Sequence, residues 1–261
     1  MRKIKVAILG SSGMLGSMVK NVLERDDRIQ LFCPSREDFD AACVSVSQLQ
    51  TATYDCDWII NCIGVLNKYI DEKNPESVKN AIRVNALFPY TLAETGKKII
   101  QIATDCAGEP DTYGMTKKLG EVKAPNFINI RCSIVGPGNP TGLLDWFLYQ
   151  PMSAIVQGYT KAIWNGVTTL AFAKLCYGIV TKNLTLPNQN NFTPHDAVTK
   201  KLMLEMFKKY FSREDIKIVS VENGTDRQVE KGDDDLWRLA EYDQVPTVEY
   251  LIKELVNYME G

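Results

Sequence analysis

The chain has 261 residues, 45% of them hydrophobic, enough to bury one substantial core and to set disorder aside. Lys and Arg number 30 against 32 Asp and Glu, a formal net charge of −2, so there is no broad positive field for nucleic acid or an anionic membrane, and small-molecule chemistry is favoured. Seven cysteines, with no Cys-x-x-Cys pair and no cluster around the single histidine, His195, point to reduced thiols in the cytoplasm and to no metal site.

The first strand signal covers residues 4–9; the basic start superficially resembles a leader, but Gly10, Ser11 and Ser12 cut its apolar stretch and a strand fits better. The strand runs into Gly10-Ser11-Ser12-Gly13-Met14-Leu15-Gly16 and then a helical pattern over 14–23. Strand, glycine turn and helix in that order bring backbone N–H groups and a helix N-terminus up to an anion, and read as a cradle for a dinucleotide pyrophosphate. Further strand-like runs at 29–33, 58–62, 99–103 and 127–132 alternate with helical patterns at 76–95 and 113–122. Such alternation predicts an α/β fold with a Rossmann-like doubly wound parallel sheet. Between residues 35 and 55 the pattern predicts a helix at 46–52 and a short strand near Ala42. After Val135 the turn-rich Gly136-Pro137-Gly138-Asn139-Pro140 introduces a smaller C-terminal α/β lobe. It carries helices at 142–149, 168–180 and 196–211, a strand at 216–221, and a closing amphipathic helix at 247–258 with Val248, Leu251, Ile252, Leu255 and Val256 on one face. The expected division is a dinucleotide-binding domain at 1–138, with parts of 160–182 packed on it, and a mainly substrate-binding lobe at 139–261. No apolar run is long enough to span a bilayer.

Ligands of an open parallel sheet sit beyond the carboxyl ends of its strands, and the unusual polar residues fall there. Gly10 follows the first strand, Ser35 and Arg36 the second, Asn61-Cys62-Ile63-Gly64 the third, Thr104-Asp105-Cys106 the fourth and Ser133 the fifth. Ser35 and Arg36 stand where an acidic residue would receive an adenosine ribose, which favours NADP(H) over NAD(H) because a guanidinium pairs with the 2′-phosphate. Tyr113 and Lys117 are four residues apart on one helical face. An ammonium there favours the phenolate and is expected to draw the tyrosine from a pKa of about 10 toward neutrality, making it a usable general acid. Tyr69 and Lys73 repeat the spacing, but only Tyr113 follows a strand that ends in a hydroxyl residue, Thr104, and opens the next helix.

With Gly10/Gly13/Gly16, Asn61-Cys62, Ala103-Thr104-Asp105, Tyr113/Lys117 and Leu119-Gly120-Glu121, the chain resembles the extended short-chain dehydrogenase/reductase superfamily, and within it the dTDP-4-dehydrorhamnose reductases. Arg131 to Gly136 and Trp164 to Thr169 belong to the same likeness. The resemblance implies a reductase in which NADPH delivers hydride to the C4 ketone of a nucleotide-linked 4-keto-6-deoxy sugar. By the same resemblance Tyr113 protonates the nascent alkoxide, Thr104 hydrogen-bonds the carbonyl oxygen, and Lys117 holds the nicotinamide ribose. The cofactor set then comprises Gly10, Ser12, Gly13, Met14, Leu15, Gly16, Ser35, Arg36, Cys62, Ile63, Gly64 and Asn85, with Tyr113 and Lys117. Asp105, Cys106, Arg131, Trp164, Asn165 and Arg227 are the substrate candidates, the arginines for diphosphate and the tryptophan for stacking. Arg131, Trp164, Asn165 and Arg227 equally suit packing or salt bridges between lobes.

The chain departs from the family in one respect: Thr104 and Tyr113 are only nine positions apart, where these enzymes insert a longer loop. Nine extended residues still reach almost 30 Å, by about 3.3 Å each, so the site can assemble, with less cover over the substrate. Cys106 stands where related 3,5-epimerase/4-reductases and GDP-fucose synthases carry a proton-exchanging cysteine, which leaves epimerisation as an alternative. A partner base is not evident: His195 suits a cap or a surface role, which leaves Lys161 as the candidate. A second alternative is a non-catalytic NADP-binding regulatory subunit, as in methionine adenosyltransferase, whose regulatory subunit shares the fold family. The oligomeric state stays open, homodimers through sheet-flanking helices being common in the superfamily.

Overall fold

A computed structural model describes residues 2–261. The described residues form two compact units, residues 2–131 with 176–190, and residues 132–175 with 191–261.

The first unit is built on strands β1 (Ile4–Leu9), β2 (Ile29–Phe32), β3 (Trp58–Asn61), β4 (Lys98–Ala103) and β5 (Phe127–Arg131), which pair in parallel. A late strand, β10 (Gln189–Asn191), flanks β5, and the sheet order is β10-β5-β4-β3-β1-β2. Val6 to Leu9 of β1 and all four residues of β3 are buried, because a parallel sheet is covered on both faces and its strands read as continuous apolar runs. The helices alternate with them: α1 (Met14–Leu23), α2 (Val46–Ala52), α3 (Pro75–Ala81), α4 (Phe88–Ala93) and α5 (Thr112–Leu119). Against one face Ala7, Leu9, Leu49, Ile59, Phe88, Leu92 and Phe127 form a continuous core.

The order of elements is the one expected, a Rossmann-like doubly wound α/β sheet; the differences are local. The helix expected at 76–95 is helical from Pro75 to Ala93, but residues Ile82–Leu87 between α3 and α4 wind as a π turn. Helix α5 stops at Leu119 rather than at 122: a Cβ on Gly120 would lie 2.0 Å from the Asn85 carbonyl oxygen, so the chain there is pressed against the π turn. No strand forms near Ala42, because Asp40 draws the chain into a turn, its side chain accepting from Ala42 N at 2.9 Å and its carbonyl from Cys43 and Val44.

In the second unit three two-stranded pairs are joined by helices. β6 (Ile134–Val135) pairs with β9 (Val167–Thr168), β7 (Ile155–Tyr159) with β12 (Lys217–Val221), and β8 (Ile163–Trp164) with β11 (Val198–Thr199). Helices α6 (Leu143–Leu148), α8 (Lys200–Tyr210), α9 (Asp235–Leu239) and α10 (Val248–Glu260) carry its core, with Phe147 near Phe207 and the Phe192 ring tilted against Trp237, centroids 4.1 Å apart. The expected face of α10, Val248, Leu251, Ile252, Leu255 and Val256, is buried. The helix expected from 196 begins at Lys200, since Val198 and Thr199 pair with β8 and the Thr199 hydroxyl caps Leu202 N at 3.0 Å. Helix α7 (Thr169–Thr181) crosses the division between the units. Among the described residues no helix is long and apolar enough to cross a membrane, and no group of three or more His, Cys, Asp or Glu side chains could hold a metal ion.

Candidate active site

At the end of β1, Gly10 takes φ +78°, a region strained for any side chain, and the chain folds back so that Gly13 N donates to Gly10 O at 3.0 Å. Helix α1 starts at Met14 with Gly13 as its N-cap, no side chain caps it, and its first turn holds no acidic residue. Gly16 brings this helix onto the turn: a Cβ there would lie 2.1 Å from Gly10 O. Uncapped amides at a positive helix end, approached through Ser12 and Gly13, which are both exposed, suit an anion. Leu15 and Gly16 are buried beneath, and Met14 is half-buried.

The sheet order reverses between β1 and β3, which places the crevice of a doubly wound sheet between their carboxyl ends. Cys62 N donates to Leu9 O at 3.0 Å, and a Cβ on Gly10 would lie 3.1 Å from Ile63 and 3.3 Å from Cys62, so the glycine turn and the 62–64 turn face each other closely. Burial pushes the Cys62 thiol up to about 12, which makes it an inert wall. Asn85, in the π turn and 3% exposed, holds the next residue like a strand partner: its Oδ1 accepts from Val65 N at 2.8 Å and its Nδ2 donates to Val65 O at 2.9 Å. Gly64 is exposed, and a Cβ there would meet only the Asn85 Oδ1 at 3.5 Å and the Lys117 Nζ at 3.9 Å.

Lys117 reaches this point from α5, with Nζ donating to the Ile102 carbonyl at 3.1 Å. One turn earlier on the helix the Tyr113 phenol lies beside the Thr104 hydroxyl, close enough for that hydroxyl to favour the phenolate. The short loop from β4 to α5 closes compactly, with Cys106 N donating to the Thr104 Oγ1 at 3.2 Å, Glu109 N to Cys106 O at 3.0 Å and Gly108 N to Gly114 O at 3.1 Å. Asp111 caps α5 by accepting from Gly114 N at 2.6 Å. Asp105 collects the remaining polar hydrogens: its Oδ1 accepts from Thr104 at 3.0 Å and from the Cys106 thiol at 3.5 Å. Thr104, Tyr113 and Lys117 thus come together with the two glycine-bearing turns inside the first unit. The expected drift of Tyr113 toward neutrality is not what the site produces. Desolvation pushes the phenol up to about 12, outweighing the Thr104 hydroxyl that lowers it, and the carboxylates of Asp105 and Asp111 push the same way.

At the end of β2, Ser35 is exposed, and both its amide and its hydroxyl donate to the Asp38 Oδ2, at 2.6 and 3.0 Å. The Arg36 guanidinium is also exposed, 4.0 Å from Asp40. Arg131 aligns with Ala103 across β5 and β4, and its guanidinium forks onto the buried Glu121 carboxylate at 2.6 and 2.7 Å. In the second unit Trp164 is 4% exposed and its indole N–H donates to the Ser133 Oγ at 2.8 Å. Asn165 is engaged at both ends with Val229, Nδ2 to O at 2.7 Å and Oδ1 from N at 2.9 Å. Arg227 is exposed beside it, its backbone bridged to Trp164. Lys161 pairs with Glu222 at 3.1 Å and His195 is exposed, its amide donating to Pro246 O.

Two groups of residues escaped the sequence reading. Asn67 and Glu72 clasp the start of α5, Asn67 Nδ2 donating to Asp111 Oδ2 at 3.0 Å and Glu72 Oε1 accepting from Thr112 N at 2.9 Å. Inside the sheet Gln101 and Asn129 join Asn61 in a ladder of buried amides. An amide in the middle of an apolar run, as in Ile100-Gln101-Ile102, was the available signal.

No protein-family model matches the sequence, and no curated protein matches it. Solved structures match over the whole chain. A dTDP-4-dehydrorhamnose reductase from Clostridium acetobutylicum superposes with a TM-score of 0.79 at 17% identity, covering 99% of this chain and 100% of that one. The dTDP-4-dehydrorhamnose reductase of Bacillus anthracis, in complex with NADP, gives 0.79 at 15% identity over 99% of both chains. A GDP-L-fucose synthetase from Naegleria fowleri gives 0.72 at 12% identity, covering 100% of this chain and 94% of that one. From end to end, this chain therefore has the fold of these nucleotide-sugar enzymes.

Proposed function

We propose that the protein is an NADP(H)-dependent oxidoreductase that reduces the C4 ketone of a nucleotide-linked 4-keto-6-deoxy sugar, as the dTDP-4-dehydrorhamnose reductases it resembles do. The observation that carries the reading is the Tyr113 phenol beside the Thr104 hydroxyl, with Lys117 against Gly64 at the same sheet edge as the Gly10 turn. The open approach to the uncapped end of α1 fits a dinucleotide. The 10–16 turn would hold the pyrophosphate, Arg36 and Ser35 the 2′-phosphate, and Lys117 the nicotinamide ribose, with Cys62, Ile63, Gly64 and Asn85 forming the wall beside it. When bound, the coenzyme supplies a hydride. The protein's part is the proton. Tyr113, held neutral by desolvation, carries one at its hydroxyl, and an alkoxide, far more basic than a phenolate, takes it readily. Thr104 has a single hydroxyl proton, now shared with Asp105, and offers it to the carbonyl oxygen as charge develops there. Asp105 and Cys106 would be its sugar-facing neighbours. The polar groups of Arg131 and Asn165 are already engaged, which suits scaffolding.

The test follows NADPH oxidation by the purified protein with a panel of nucleotide-linked 4-keto-6-deoxy sugars. Tyr113→Phe should lower turnover by about 10²–10⁴-fold while NADPH binding stays near that of the wild type. Unimpaired turnover in that variant would remove Tyr113 from the chemistry. NADPH binding without turnover on any sugar would leave a binding module.

A further inference from the structure

We infer that Gln101 is a positioning residue that holds the coenzyme-facing turn after β3 and the end of the Tyr113/Lys117 helix in one fixed geometry; the inference rests on the reductase reading above. Gln101 lies in the middle of β4 and is 3% exposed. Its Oε1 accepts from Asn61 Nδ2 at 2.8 Å, and its Nε2 donates to the Gly120 carbonyl at 2.8 Å. Each contact leads to the site. Asn61 Oδ1 accepts from Ile63 N at 3.1 Å, so the amide chain ends on the turn that faces Gly10. Gly120 ends α5 and presses on the Asn85 carbonyl, where a Cβ would come within 2.0 Å, while the Asn85 side chain grips Val65 through both its ends. The contacts close a ring that runs from residues 63–65 through Asn61, Gln101, Gly120 and Asn85 and back to Val65. Lys117 is tied to it through the carbonyl of Ile102, next to Gln101, and its Nζ stands against Gly64.

The chemistry of the residue supports the assignment. A leucine or methionine would fill the same buried volume with no polar group to satisfy. What the carboxamide adds is direction: a donor toward α5 and an acceptor toward β3, each fixing a neighbour to within a hydrogen bond. Sub-ångström placement of that kind matters where a lysine and a turn must meet one ligand.

Gln101→Met removes both ends of the amide at nearly constant volume. Measured well below its melting temperature, it should raise the NADPH dissociation constant about tenfold and lower turnover at saturating coenzyme and sugar by at least as much. Asn188→Ala removes hydrogen bonds to the Val122 and Phe127 carbonyls outside the ring, and should lower the melting temperature while leaving NADPH affinity within about twofold. Gln101→Glu supplies an independent reading if Gln101→Met does not fold. Protonated, its carboxyl can donate to the Gly120 carbonyl; ionised, it cannot, so the ratio of its NADPH dissociation constant to that of the wild type should climb as pH rises. NADPH affinity and turnover like the wild type in Gln101→Met, or a pH-independent ratio in Gln101→Glu, would overturn the assignment while the reductase reading stands. A wild-type protein that does not bind NADPH overturns both.

Discussion

Substituting Gly16 by alanine tests the glycine turn where its geometry is tightest. A Cβ at this position would lie 2.1 Å from Gly10 O, 2.7 Å from Gly10 C and 2.9 Å from Ser11 Cα. All three are backbone atoms that cannot rotate away, so the N-terminus of α1 and the turn must separate by about 1 Å to restore ordinary contact. Overpacking of this kind costs about 1–3 kcal/mol, and the better helix propensity of alanine returns about 1 kcal/mol, leaving a net loss of up to about 2 kcal/mol. At about 2–4 °C per kcal/mol, the melting temperature should fall by up to about 8 °C. The larger effect is on the ligand. A charge-assisted hydrogen bond contributes about 1.5–3 kcal/mol, so moving a single phosphate-facing amide out of reach should raise the NADPH dissociation constant roughly 10–100-fold. Thermal melts with and without NADPH, together with a fluorescence titration, read both quantities. Gly13→Ala is the internal comparison, because its nearest neighbour is Gly10 O at 3.3 Å and its backbone is extended; its melting temperature should stay close to that of the wild type. A Gly16→Ala protein that melts and binds as the wild type does would refute the argument that close contact of helix and turn builds the anion site.

Other consequences can be measured on the same protein. Because desolvation raises the Tyr113 pKa to about 12, the phenol keeps its proton until the pH rises through that value. Tyr113 should therefore impose no fall on the reduction rate between roughly pH 6 and 10, whereas alcohol oxidation, which needs the phenolate as base, should rise with pH; a Tyr113-dependent loss of reduction near neutrality would contradict this. Arg36→Ala should raise the NADPH dissociation constant about tenfold and leave NADH nearly unchanged, since the exposed guanidinium has only a distant Asp40 to release; equal effects on both coenzymes would exclude it from 2′-phosphate recognition. Glu121→Ala should destabilise the fold by roughly 2–3 kcal/mol, less than for a fully buried pair because Arg131 keeps some water, as read by denaturant unfolding.

What could be read from the residues, and what could not, follows from the range of the forces involved. Strands β1 to β5 stand out because a sheet covered on both faces needs apolar residues throughout, and the glycines of the first turn because φ +78° and a 2.1 Å approach exclude a side chain. Strand β10 is Gln-Asn-Asn, with no apolar signal, and exists because its backbone lies beside β5. The π turn at 82–87 hides inside a helical pattern, since only the tertiary fit of Asn85 to Val65 and Gly120 reveals it. Tyr113 shows the same limit at the level of chemistry. The spacing to Lys117 on one helical face is a local property and appears in the sequence. Proton affinity is not local: it sums the water removed by the fold with every charge around the phenol, and here the desolvation outweighs the Thr104 hydroxyl. A tyrosine shifted upward in this way keeps its proton throughout the neutral range, which its spacing to Lys117 alone would not predict.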